Sequence, residues 1–116
     1  MKSTIRHVNN NGHKYDVLAV VCPGCQELPS NADRLAGGLL MIPVEADDSG
    51  KAWGWDDNLE APTLTPSIVT RIGDKVCHSH LTDGVWNFLS DCDHSMAGQQ
   101  VPMVDLPEWF SKEDNL

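Results

Sequence analysis

Residues 74–98 read D-K-V-C-H-S-H-L-T-D-G-V-W-N-F-L-S-D-C-D-H-S-M-A-G. The stretch holds Cys77 and Cys92, two of the four cysteines, and His78, His80 and His94, three of the five histidines. At its centre Asp83-Gly84 stands between apolar-rich runs. That dipeptide is a strong short-range hairpin signal, because both residues tolerate positive φ. The pattern predicts antiparallel strands over 75–81 and 85–92, with Cys77 and Cys92 near opposite positions. Side chains alternate across a strand, so Cys77 and His78 should point to opposite faces and should not share one ion.

The other two cysteines form the knuckle Cys22-Pro23-Gly24-Cys25. Proline fixes φ and glycine permits φ > 0, so the backbone amides of such a turn can face the two sulfurs. Two thiolates from a tight turn occupy one edge of a tetrahedron, and a Cys/His hairpin can close the other. A thioredoxin-like redox role would need a helix starting after Cys25, and Gln26-Glu27-Leu28-Pro29-Ser30-Asn31 is a poor helix start. Six side chains compete for four places. The first choice is Cys22, Cys25, Cys77 and Cys92, with His94 and then His78 as alternates. A closed set of four means one structural zinc ion that contributes to folding and keeps no open position for substrate water.

Outside these motifs the chain reads as short strands and turns. The alternating run Thr4-Ile5-Arg6-His7-Val8, the turn signal ending at Asn11-Gly12 and the apolar run at 15–21 predict a hairpin, with His7 and His13 in solvent. Residues 30–40 could hold one helical turn before Gly37-Gly38, and 39–44 is a strand that Pro43 assigns to an edge or bulge. Trp53 and Trp55 lie at i and i+2, on one face of a strand. They either cover the core or, with Asp56 and Asp57, form a contact surface for a partner. Residues 63–69 are extended, Pro66 arguing against a central strand, and Thr65 and Ser67 read first as filler of that extended segment, with hydrogen bonding to phosphate or backbone as the alternative. A capped helical turn is expected at 93–98, a last strand at 100–104 and a flexible acidic tail at 105–116. Frequent Gly and Pro with little helical periodicity indicate a mainly β fold. The expectation is a small antiparallel β-sandwich or open barrel, zinc-stapled, with one or two short helical turns and a single domain over 1–116.

With 116 residues and 41% apolar side chains, the chain can build a core of its own, so metal would assist folding rather than replace the core. Neither a twenty-residue apolar run nor a signal-peptide pattern is present, so the expected location is the cytoplasm, with no membrane association. Thiols stay reduced there, which favours metal over disulfides. The balance of 8 basic against 17 acidic residues, a formal charge of −9, opposes direct binding to nucleic acid phosphates. An acidic surface serves solubility or attracts a basic partner.

Four elements in order carry a family resemblance: Cys22-Pro23-Gly24-Cys25, then Ala61-Pro62-Thr63-Leu64-Thr65-Pro66-Ser67-Ile68, then Cys77-His78, then Asp91-Cys92-Asp93-His94-Ser95-Met96-Ala97-Gly98-Gln99. With the Trp53-Gly54-Trp55-Asp56 segment, this set resembles a family of small zinc-binding phage and prophage proteins, over roughly residues 20–104. Some members carry the label ammonia monooxygenase, although nothing in this chain resembles a copper membrane enzyme. The resemblance implies a phage or prophage origin and a metal-binding fold, and it supplies no activity. Relatives often have a histidine soon after the knuckle, where this chain has Gln26-Glu27-Leu28-Pro29. His80 stands where relatives tend to have an aromatic residue, which demotes it as a ligand.

These readings lead to a non-catalytic, zinc-stapled module that binds a protein, with a host factor inhibited or redirected by it, through Trp53, Trp55, Asp56 and Asp57. Two alternatives remain open. One is a small metal-dependent hydrolase in which a spare His78 or His94, with Asp91 or Asp93, handles protons. The other is a virion or assembly component. A zinc deaminase is disfavoured because proline follows Cys22 instead of preceding it.

Overall fold

The computed structural model describes residues 1–27 and 38–108, the side chain of Ile72 excepted. Among the described residues, eight strands form two antiparallel sheets. In the first, β1 (Thr4–Asn10), β2 (His13–Val21) and β3 (Leu39–Pro43) lie in that order. In the second, β4 (Gly54–Trp55), β5 (Leu64–Ile72), β6 (Lys75–Thr82), β7 (Val85–Phe88) and β8 (Gln100–Pro102) follow sequence order. The fold is mainly β, as expected, and the sheets do not close into a barrel.

Both dipeptide turns form as their chemistry requires. Asn10 pairs with His13 around Asn11-Gly12, and Thr82 pairs with Val85 around Asp83-Gly84, all four turn residues having positive φ. The β6–β7 ladder ends at Ser79↔Phe88, so Cys92 lies beyond it and reaches β6 from a loop rather than from a strand.

Alternation along β6 buries Cys77, Ser79 and Leu81 and turns His78 and His80 outward. One core joins the sheets: Leu18, Val20, Cys22 and Ile42 on one side meet Leu64, Ile68, Cys77, Leu81, Trp86 and Phe88 on the other. The knuckle is therefore in the core, at the end of β2.

Three local expectations are corrected. Pro66 does not exclude β5 from the sheet interior, because Leu64 and Thr65 pair with β4, while the proline lies past that pairing in a break of register with β6 between Leu64 and Ile68. The 93–98 segment is a series of turns without a helix, and the helical element among the described residues preceding β3 is a 3₁₀ turn, Cys25–Glu27, directly after the knuckle. Within the expected tail, Leu106 is buried and its N–H donates to Met1 O, while Asp105 pairs with the Lys2 ammonium at 3.1 Å. Residues 109–116 and most of the helical turn expected at 30–40 lie outside the described residues.

Candidate active site and metal centre

The break around Pro66 positions the Ser67 side chain. A proline cannot donate to a ladder, so pairing with β6 lapses there and the bulge re-aims its neighbour. Ser67, just beyond, places its hydroxyl 3.0 Å from His78 Nε2 on the adjacent strand. The other ring nitrogen, His78 Nδ1, lies 3.2 Å from Asp91 Oδ2. With Nδ1–H donating to the carboxylate, Nε2 is left to accept the Ser67 O–H. Ser67, His78 and Asp91 form a continuous hydroxyl–imidazole–carboxylate chain. His78 is half-buried, whereas the Asp91 side chain is 62% exposed. The carbonyl of Ser67 accepts the Trp53 indole N–H at 3.2 Å, which fixes the backbone beside the hydroxyl.

On the opposite face of β6, Cys77 meets the knuckle. Its sulfur is 3.6 Å from Cys22 Sγ and 3.2 Å from His94 Nε2. Two groups of donor atoms within 4.8 Å of one another share Cys77: Cys22, Cys25 and Cys77, and Cys77, Cys92 and His94. The Cys25 thiol is held down at about 4, first by the hydrogen bond from Cys22 and then by that from Cys77. Cys22 is pushed up to about 12, chiefly by its bond to Cys25, and Cys77 is pushed far up by Cys22 and Cys25. Burial and like-charge repulsion between the neighbouring sulfurs oppose a second thiolate beside Cys25. Cysteine sulfurs with an imidazole are the donor set of a soft cation, and this cluster could hold a metal ion.

Gly24 is what lets His94 in, because a Cβ there would stand 2.3 Å from His94 Nε2. Phe88 meets the same ring edge-on at 4.7 Å. Cys92 is placed differently. Its sulfur accepts the His78 N–H at 3.2 Å and its S–H donates to His78 O at 3.0 Å.

A single loop thereby serves both faces of β6. Asp91 reaches the His78 ring and Cys92 the His78 backbone, while His94 reaches Cys77. Asp93 locks the register, its carboxylate accepting the Val76 N–H at 2.7 Å and its own N–H donating to Val76 O at 2.9 Å. Glu27, two residues past Cys25, clasps the loop from the knuckle side by accepting the Ser95 N–H and hydroxyl.

Residues 1–89 match the family described as bacterial ubiquitination-like system serine protease (BubE). The chain belongs to the BubE family. The motif resemblance pointed to a small phage-type family, and the family that matches is this bacterial one. Ser67, His78, Cys22, Cys25 and Cys77 fall inside the matched residues, and Asp91, Cys92 and His94 lie just beyond them. Neither the curated proteins nor the solved structures gave a significant match. No helix among the described residues is long and apolar enough to cross a membrane.

The expected contact residues are accounted for locally. Trp53 and Trp55 are half-buried against the core, and Trp55 Nε1 donates to Asn58 O. Asp56 accepts the Asn58 and Thr63 N–H groups, and Asp57 is exposed with φ at 64°. Ser67 is the member of this hydrogen-bonded chain that sequence reasoning did not single out as a site residue. Its signal was the Thr65-Pro66-Ser67 sequence inside a strand-like run, where a proline predicts a bulge and a bulge re-aims a side chain.

Proposed function

We propose that this chain is a serine hydrolase that cleaves an acyl bond in a peptide or protein, with a metal staple that supports folding. One observation carries the reading: the His78 ring bonds the Ser67 hydroxyl through one nitrogen and the Asp91 carboxylate through the other. In that arrangement Ser67 Oγ attacks the acyl carbon while its proton passes to His78 Nε2. The same proton then goes to the leaving amine, the acyl–nitrogen bond breaks, and an acyl-serine remains. Water attacks the acyl-serine and His78 takes a proton from it, restoring the hydroxyl as the acid leaves. Asp91 stays ionised and holds the imidazole in the tautomer that the first step needs. The family description, a serine protease of a bacterial ubiquitination-like system, supports a peptide-type acyl substrate.

This reading replaces a non-catalytic binding module, and the alternative that used a spare His78 and Asp91 near the metal is closer to it. It differs from that alternative in its nucleophile, a serine hydroxyl. A protein partner enters as substrate.

Cys22, Cys25, Cys77 and His94 would hold one zinc ion. His94 is preferred to Cys92 because its Nε2 faces Cys77 across the knuckle, whereas the Cys92 sulfur is engaged with the His78 backbone in both directions. Four protein ligands would make the ion structural.

Labelling with a fluorophosphonate, followed by intact mass and peptide mapping, tests the nucleophile. One adduct on Ser67 in the wild-type protein, lost in Ser67→Ala and His78→Ala, is expected. A folded wild-type protein that takes no label, or takes it elsewhere, overturns the reading.

A further inference from the structure

A groove leads away from Ser67. Its near part, of about 330 Å³, is lined by Lys51, Trp53, Pro66, Ser67 and Val69. Its far part, of about 160 Å³, lies between Met41 and Pro43 on β3 and Ile68 to Thr70 on β5, and Trp53 and Val69 belong to both parts. The walls are more apolar than polar, and Met41 and Val69 stand 47% and 46% exposed, large for such side chains. Lys51 is the one charged side chain among the described lining residues. Trp53 is fixed at the junction by its bond to Ser67 O.

The backbone beside the groove is also available. β4 pairs with β5 only at Leu64 and Thr65, so Ile68–Ile72 has no ladder partner on that side among the described residues. β3, across the groove, is the edge of the other sheet. An open strand edge offers unpaired N–H and C=O groups to an extended chain, and alternate side chains of that chain then enter neighbouring pockets.

We infer that this groove is the substrate subsite of the proposed hydrolase, and that it takes an extended peptide added as a strand to the open edge of β5, with an apolar side chain against Trp53, Val69 and Met41. The inference rests on Ser67 being the nucleophile. Ser67 and Thr70 are three residues apart on one strand, a span of about 10 Å, so the apolar side chain lies within about three residues of the bond cleaved. Lys51, close to Ser67, favours an acidic over a basic group next to that bond.

The test is cleavage of a proteome-derived peptide library by the full-length protein, read by mass spectrometry, with fluorophosphonate labelling in parallel. An apolar residue enriched several-fold at one fixed position within about three residues of the cut is expected. In Met41→Lys and Val69→Lys, both exposed positions, that enrichment falls at least threefold and acidic residues gain at the same position. Cleavage without apolar preference, or a preference unchanged in both variants, overturns the inference. If Ser67 takes the label but no peptide is cut, the subsite is wrong and the nucleophile stands. If Ser67 takes no label in the folded protein, both fall together.

Discussion

Replacing Asp91 with asparagine keeps the shape of the side chain and removes the charge that orients His78. The contact is 3.2 Å and the carboxylate is 62% exposed. For a protonated imidazole at that separation, the attraction is about 1.3 kcal/mol in bulk water and about 5 kcal/mol at an effective permittivity of 20. Solvent around Asp91 puts the pair near the lower figure, and water can partly take over the orienting bond. A loss of about 1.4 to 2.7 kcal/mol corresponds to about 10- to 100-fold in rate. That is well short of the roughly 10⁴-fold cost of the same change at a buried triad aspartate. The assay is kcat/KM for an activated p-nitrophenyl ester, measured beside Ser67→Ala. A fall of less than about twofold would remove Asp91 from the site. A fall as deep as that of Ser67→Ala would show that exposure does not weaken the pair, and the solvent argument would fail.

Three further outcomes follow from the cluster and its loop. Gly24→Ala drives a methyl into the His94 ring, 2.3 Å from Nε2, so bound zinc should drop well below one per chain and stability should fall by about 1–3 kcal/mol, read by metal analysis and thermal unfolding. Cys92→Ala leaves the His78 N–H and C=O without their sulfur partner and should cost about 1–3 kcal/mol in urea unfolding, while zinc is retained. Loss of zinc in that variant would make Cys92 a ligand in place of His94. Glu27 is held below its ordinary 4.5, first by the Ser95 hydroxyl and then by the Ser95 N–H. A depressed carboxyl contributes stability above its unfolded value and loses it as pH falls through the folded one. Glu27→Gln should therefore narrow the stability difference between pH 7 and pH 3, and an unchanged difference would show that the clasp contributes nothing.

Short-range chemistry was legible in the sequence. Asn11-Gly12 and Asp83-Gly84 dictated two hairpins because their backbones accept positive φ, and alternation along 75–82 placed Cys77 and His78 on opposite faces. The knuckle and the Cys/His-rich stretch announced a cluster that could hold a metal ion before any contact was known. Other features depended on contacts between distant segments. Ser67 looked like filler because a hydroxyl in an extended run has no signature until the bulge at Pro66 aims it at a histidine eleven residues away. The roles of Cys92 and His94, two residues apart, could not be separated by spacing, since both belong to a loop whose path is set by how Asp93 and Glu27 pin it. Local backbone preference is written in neighbouring residues. The partners of an outward-facing histidine are fixed only when two strands and a loop are packed against each other.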